Sequence, residues 1–192
     1  MIYAELRYDE TESDDYCMFD KYCPEMKETY WRLSDGEPYG DDYPKNAFVE
    51  MSEKFRGIEL TDFIHNTRGV LLVSRKVKES IEKLQKAPTE YLPVAIKNHK
   101  KRIASADYFF INPLGTVDCL NLKKSKIEWH KKKDVVSIEK AVIDPKKLKD
   151  APALFRVKEW PSKYVVDDRL IDVWLSMKPR PTNCIPEELD QG

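Results

Sequence analysis

The sequence predicts an α+β fold in one domain, with a mixed, mostly antiparallel sheet and two main packed helices at about 75–86 and 168–177. Three observations predict it. Short apolar or alternating stretches recur along the chain without the regular helix after every strand that a βαβ fold requires. Two stretches with helical apolar spacing each begin where an apolar run stops at a Ser or an Asp. Finally, 192 residues with 41% apolar and 21 aromatic side chains suffice for a core without metal or disulfide.

The elements follow in order. Residues 2–8 alternate Ile2, Ala4, Leu6 and Tyr8 against Tyr3, Glu5 and Arg7, which is a half-buried strand. Residues 9–46 show no clear periodicity. Residues 58–64 predict a helical turn or two, and 69–74 a short buried strand. Ser74 then caps a helix whose Val77, Ile81 and Leu84 share one face, and Pro88 stops it. In the strand 89–97, Pro93 indicates an edge position or a bulge. Residues 98–106 read as a polar connection. Strands are expected at 108–111, 117–120 and 126–130, with 135–143 extending the sheet. Asp144-Pro145 starts a helical turn. Residues 154–158 and 165–166 are strand, and the helix 168–177 is apolar almost all round, so it is expected to be buried. The tail 182–192 is expected to be loose. Val73-Ser74 with its helix and Val166-Asp167 with its helix share one apolar pattern at an offset of 93 residues, either as two related units side by side or as the pattern common to any strand–cap–helix. The predicted core holds Val73, Val77, Ile81, Phe110, Ile111, Leu120, Trp129, Phe155, Leu170 and Trp174.

Charge is balanced overall, at −1, but not locally. Residues 1–50 carry 14 acidic and 5 basic side chains, while the remainder carries 20 and 28. The front segment also holds Trp31 and six Tyr or Phe between 16 and 43. A disordered tail would not carry that many aromatics, so partial packing on the body is expected. Its acidity suits a solvated face, a docking surface for a basic partner, or a complement to the basic half.

No Gly-x-Ser-x-Gly elbow, phosphate loop, dinucleotide fingerprint or His-Glu-x-x-His motif is present, and no catalytic residue is assigned. His65, near Asp62 and Arg68, could act as a base but reads more simply as a loop histidine. Cys119 with His130 would need a thiolate, whereas a mid-strand Cys is usually an inert buried thiol. Cys17, Cys23, Cys119 and Cys184 lack zinc spacing and read as free thiols of a reducing cytoplasm, although a Cys17–Cys23 pairing stays open. No metal or cofactor is expected. Lysine clusters at 97–102 and 123–133 allow a nucleic-acid module, but the near-neutral charge favours a solvated lysine face. No 18-residue apolar run indicates a membrane span, and Met1–Asp9 lacks the features of a secretory signal.

An ordered series of motifs then stands out: Asp62-Phe63, Val73-Ser74 before a helix, Leu92-Pro93-Val94, Tyr108 with Ile111-Asn112, Val117-Asp118 with Leu120, Ser125, and Leu154-Phe155-Arg156. Over residues 57–177 the chain resembles immunity protein family eleven of bacterial polymorphic toxin systems. Asp167 stands where a Ser is expected, and Asn121-Leu122-Lys123 where an acidic residue is more usual. The resemblance implies three segments: a strand and irregular acidic part (1–56), a family-like core (57–178) and a tail (179–192). It implies a non-enzymatic cytoplasmic protein that binds a cognate toxin domain, often a nuclease, with no nucleic-acid or membrane partner. On that footing the toxin-facing candidates are Asp14, Asp15, Trp31, Tyr39, Asp41, Asp42 and Tyr43. The carboxylates would answer a basic, phosphate-holding surface and the rings would supply anchors.

Overall fold

The computed structural model describes residues 1–9, 14–130 and 134–192. Strands take 41% of the chain and helices 18%, so the helices are additions to sheets rather than their equals. The strands are β1 (Tyr3–Arg7), β2 (Met18–Tyr22), β3 (Phe48–Met51), β4 (His65–Asn66), β5 (Leu71–Ser74), β6 (Thr89–Lys97), β7 (Ile103–Pro113), β8 (Lys126–His130), β9 (Asp134–Lys140), β10 (Val142–Ile143), β11 (Leu154–Val157), β12 (Trp160–Asp167), β13 (Ile185–Glu188) and β14 (Asp190–Gln191). The helices are α1 (Trp31–Asp35), α2 (Arg75–Leu84) and α3 (Asp168–Ser176). Instead of one sheet there are a six-stranded sheet, β4-β2-β3-β6-β7-β5, a four-stranded sheet, β11-β12-β1-β13, and the pairs β8-β9 and β10-β14.

Successive strand residues point to opposite faces, which explains the continuous apolar runs. In β7, Tyr108 and Phe110 enter one core cluster while Phe109 and Ile111 enter another. The first cluster is covered by the front segment through Phe19, Met26, Leu33 and Tyr39. The second lies between the six-stranded sheet, α2, α3 and the inner face of the four-stranded sheet. The third sits on that sheet's outer face, where Tyr3, Phe155 and Val165 meet Cys119, Leu120 and Ile143. The two strand–helix units of matching pattern therefore meet: β5 feeds α2, β12 feeds α3, and the helices pack on each other.

Several expectations are corrected. The segment 9–46 is not irregular throughout, because β2 lies inside the six-stranded sheet between β4 and β3. The aromatics there did indicate packing. Residues 58–64 form no helix, and 117–120 make isolated bridges rather than a strand. The connection 98–106 is shorter, since β7 begins at Ile103. Residues 135–143 extend neither large sheet. The tail is tied down, with β13 paired to β1 and β14 to β10. In α3 only one face is buried, through Leu170 and Trp174, while Leu175 is exposed. Trp129 is 39% exposed and lies outside the core, whereas the other predicted core residues are buried. Pro93 sits in an interior strand, but beyond the end of the β3 ladder, which begins at Ala95. No neighbouring strand there needs its missing N–H.

Ser74 occupies the N-cap of α2 but donates its hydroxyl to Asp62 Oδ1 (2.6 Å) instead of capping. Asp62 Oδ2 accepts from Lys76 Nζ (2.8 Å) and from Thr182 N (3.0 Å), which ties the C-terminal segment to the start of α2. Burial pushes the Asp62 carboxyl up, but the bonds from Lys76, Ser74 and Thr182 outweigh it and hold the group below its ordinary value. A folded pKa below the unfolded one adds stability above about pH 4 that is lost as pH falls through the folded value. Asp62→Asn is therefore expected to cost about 1–2 kcal/mol at neutral pH. The gap to the parent, measured by urea unfolding, should narrow as pH falls from about 5 to below the ordinary carboxylate range. A gap that stays constant over that range would refute this role.

Candidate functional site

The segment from Pro24 to Tyr43 connects β2 to β3 and presents an acidic surface. Glu25, Glu28, Asp35, Glu37, Asp41 and Asp42 are all exposed, against the cations Lys27 and Arg32. Trp31, 47% exposed, stands among them, with its Nε1 donating to the Glu28 carbonyl at 3.1 Å. Arg32 pairs with Asp42 (3.0 Å) and lies over the Tyr39 ring.

What makes this surface rigid lies underneath. Gly36, at φ 76°, ends α1 in the left-handed region, and a Cβ there would sit 2.9 Å from Arg156 Cδ. The wholly buried Arg156 donates to the carbonyls of Leu33, Ser34 (3.1 Å), Pro113 (3.1 Å) and Pro161 (2.8 Å), and to Asn112 Oδ1 (3.1 Å). Its guanidinium stacks on Tyr164 at 4.4 Å. Glu90 accepts from the backbone of Tyr39 (3.0 Å) and Gly40 (2.8 Å) and from Asn112 Nδ2 (2.9 Å). Asn112 also donates to the Glu37 carbonyl (2.9 Å). Residues 33–40 are thus fixed to β6, β7 and β11 through their main chain, which leaves their carboxylates facing solvent.

The sequence-predicted candidates divide. Trp31, Asp41 and Asp42 belong to this surface. Tyr43 is half-buried, with its hydroxyl on the Pro93 carbonyl (2.9 Å) and its ring against Tyr39. Tyr39 is 3% exposed, so its ring serves the core and is not a surface anchor. Burial raises the pKa of its phenol, the Thr29 bond and Arg32 opposing. Asp14 and Asp15 are exposed in the turn that enters β2, at the opposite end of that strand, where the Asp15 carbonyl accepts from Glu59 N (2.8 Å). The structure does not bring the seven together. Sequence reasoning missed Glu90, Asn112 and Arg156 as the supports, although Asn112 and Arg156 stood in its motif series.

The catalytic alternatives find little support in the geometry. The Asp62 carboxylate is engaged by Ser74, Lys76 and Thr182, while the His65 ring stacks on Tyr8 at 4.6 Å. Burial, with Glu159 and Asp118 adding to it, pushes the Cys119 thiol up to about 12, so it is protonated at neutral pH. Among the described residues no three His, Cys, Asp or Glu side chains are grouped to hold a metal, and no helix is long and apolar enough to cross a membrane. Cys17, Cys23, Cys119 and Cys184 are unpaired.

This acidic surface is held from beneath by buried polar groups, and the family match gives the class as an immunity protein. The chain belongs to the immunity protein family Imm11, whose family model matches residues 11–184. No curated protein matches the sequence. The match extends the resemblance seen over 57–177 and takes in the acidic segment, so that segment is part of the family domain rather than an addition to it.

Proposed function

We propose that this protein neutralises a cognate toxin domain by direct, non-enzymatic binding, with the surface of residues 25–43 laid against a basic, phosphate-handling face of the toxin. The observation that carries this reading is the conjunction of six exposed carboxylates and Trp31 on one segment whose residues 33–40 are held by Arg156, Asn112 and Glu90. A preorganised surface loses little entropy on binding, exposed carboxylates speed encounter with a cationic partner, and a Trp supplies an anchor. A nuclease, whose active face holds phosphates, is the toxin class this charge suits best.

The test is co-expression with the cognate toxin domain, together with titration of the purified pair. The combined change Trp31→Ala, Asp41→Lys and Asp42→Lys is expected to abolish protection and weaken binding by at least about 100-fold, with loss of its salt dependence. A parallel variant, Asp14→Lys with Asp15→Lys, probes the other end of β2 and is expected to matter less. Protection and salt-dependent binding that survive the triple change in a folded protein would place the interface elsewhere.

A further inference from the structure

The lysine cluster 97–102 occupies the end of β6 and the turn into β7, and hydrogen bonds fix the turn. Asn98 Oδ1 accepts from the backbone of Lys100 (2.9 Å) and of Arg102 (3.1 Å), and Asn98 N donates to the Arg102 carbonyl (2.9 Å). Lys101 stands in the left-handed region at φ 59°. Its Nζ is tied to Glu50 in β3 (2.8 Å) and to Glu53 just beyond it (3.7 Å), while Lys97 Nζ lies over the Phe48 ring at 3.1 Å. Lys100 and Arg102 are exposed and belong to no ion pair among the described residues. Lys54, which follows Glu53, is also exposed, and Ile103 is 63% exposed.

Because β3 and β6 run parallel, this cationic tip lies at one end of the six-stranded sheet and the 25–43 surface, which bonds to Glu90, at the other. Glu90 and Lys97 are seven residues apart in β6, about 23 Å at the rise of a strand, too far for one surface to neutralise the other within a chain. The two surfaces nevertheless match. One offers six exposed carboxylates against Lys27 and Arg32, with the exposed Trp31 among them. The other offers five cations, Lys54, Lys97, Lys100, Lys101 and Arg102, against Glu50 and Glu53, which Lys101 engages, with Ile103 beside them. Asp14 and Asp15 lie at the tip's end of the sheet too, but beside β2, with β3 between them and β6. The net charge of −1 leaves little overall repulsion between copies. A nucleic acid suits the tip less well: the acidic surface repels a polyanion, and the turn carries no Phe, Tyr or Trp on which a base could stack.

We propose that the β6–β7 tip docks on the acidic 25–43 surface of a second copy of this chain. The contact joins two different surfaces, so each joined copy keeps one of them free, and assembly grows with concentration unless it closes on itself. Self-association stands on these two surfaces alone. On the toxin-binding reading it has a consequence: toxin and second copy compete for the same carboxylates, and the assembly covers that surface until a basic toxin face displaces it.

The experiment is sedimentation velocity of the purified chain over a range of concentrations at low and high salt. The native chain is expected to associate as concentration rises at low salt and to be monomeric at about 1 M salt, where the Debye length is about 3 Å. Two variants, Lys100→Ser with Arg102→Ser and Asp41→Asn with Asp42→Asn, are each expected to weaken self-association about 10-fold with thermal unfolding unchanged. An equimolar mixture of the two variants is expected to form a 1:1 pair of native affinity that grows no further, because one supplies the intact acidic surface and the other the intact tip. A native chain that stays monomeric at low salt, association that salt does not weaken, or native self-affinity in both variants would overturn the proposal. Retention of the native chain on duplex DNA or on RNA, lost in the Lys100/Arg102 variant, would also overturn it by giving the tip a polyanion as its occupant.

Discussion

Arg156→Met is expected to destabilise the fold by about 3–5 kcal/mol, although no carboxylate among the described residues pairs with the guanidinium. The charge is held by four carbonyl dipoles from three separate places, by Asn112 Oδ1 and by the Tyr164 face. Replacing a whole buried ion pair with apolar groups is often neutral, but here only one partner is removable. The four carbonyls belong to the main chain; those of Leu33 and Pro113 would stay buried without a donor, each at a cost of about 1–3 kcal/mol before relaxation, while those of Ser34 and Pro161 are partly open to water. Arg156→Lys should fare little better, since three protons on a single nitrogen cannot span a cage built for a planar fork. Urea unfolding of both variants checks the magnitude, and hydrogen exchange checks the place: amides between residues 33 and 40 should lose protection first. A methionine variant within about 1 kcal/mol of the parent would show that the cage contributes little. The consequence for binding is direct, because the same bonds hold the acidic surface in place.

The sheet-and-helix character was legible because it depends on local pattern. The strand stretches at 2–8, 69–74, 89–97 and 108–111, and the starts of both main helices, appear close to where periodicity put them. The partition into separate sheets was not legible, since it depends on which strands pair across long separations. β1 finds β12 and β13 nearly the whole chain away, and no local feature encodes that. Trp129 illustrates the limit of patterning. Its alternation with Ile127 indicated a strand with an apolar face, which is correct, but not how far along that strand the body of the protein extends. The front segment misled for the opposite reason: β2 is short and its Met18-Phe19 runs straight into Asp20-Lys21, so an interior strand looked like loop.

The motif series behind the family resemblance gains a physical meaning in the fold. Asp62 and Ser74, twelve residues apart, bond to each other; Asn112 and Arg156 do likewise across forty-four residues. Asn112 and Arg156 are buried connectors between segments and Asp62 and Ser74 half-buried ones, whereas Asp118 is exposed and pairs with Lys147 and Lys158. The candidate binding residues could be proposed from charge and aromatic content, but their division between the two ends of β2, and the loss of Tyr39 to the core, follow from the β2–β3 pairing and could not be read from spacing.

Trp174→Ala is expected to cost about 3–5 kcal/mol. The indole is 4% exposed at the junction of α2, α3 and the second core cluster, with its ring edge-on to Phe63 at 5.3 Å. Its Nε1 donates to Ser80 Oγ (2.8 Å), and that hydroxyl in turn donates to the Val77 carbonyl (2.6 Å), so a short polar chain crosses the α2–α3 contact inside an apolar cluster. Alanine removes the ring and opens a cavity between elements that meet only through such side chains. Trp174→Phe separates the two contributions: most of the volume stays, the donor is lost, and a cost of about 1–2 kcal/mol is expected. Urea unfolding should rank the parent above the phenylalanine variant and that variant above alanine. Fluorescence gives an independent reading, because Trp31 and Trp129 are exposed and Trp160 is only partly covered, so the emission best shielded from aqueous quenchers belongs to Trp174. If the alanine variant keeps the parent's stability to within about 1 kcal/mol, the helices are held to the sheets by other contacts and the second cluster does not depend on this ring.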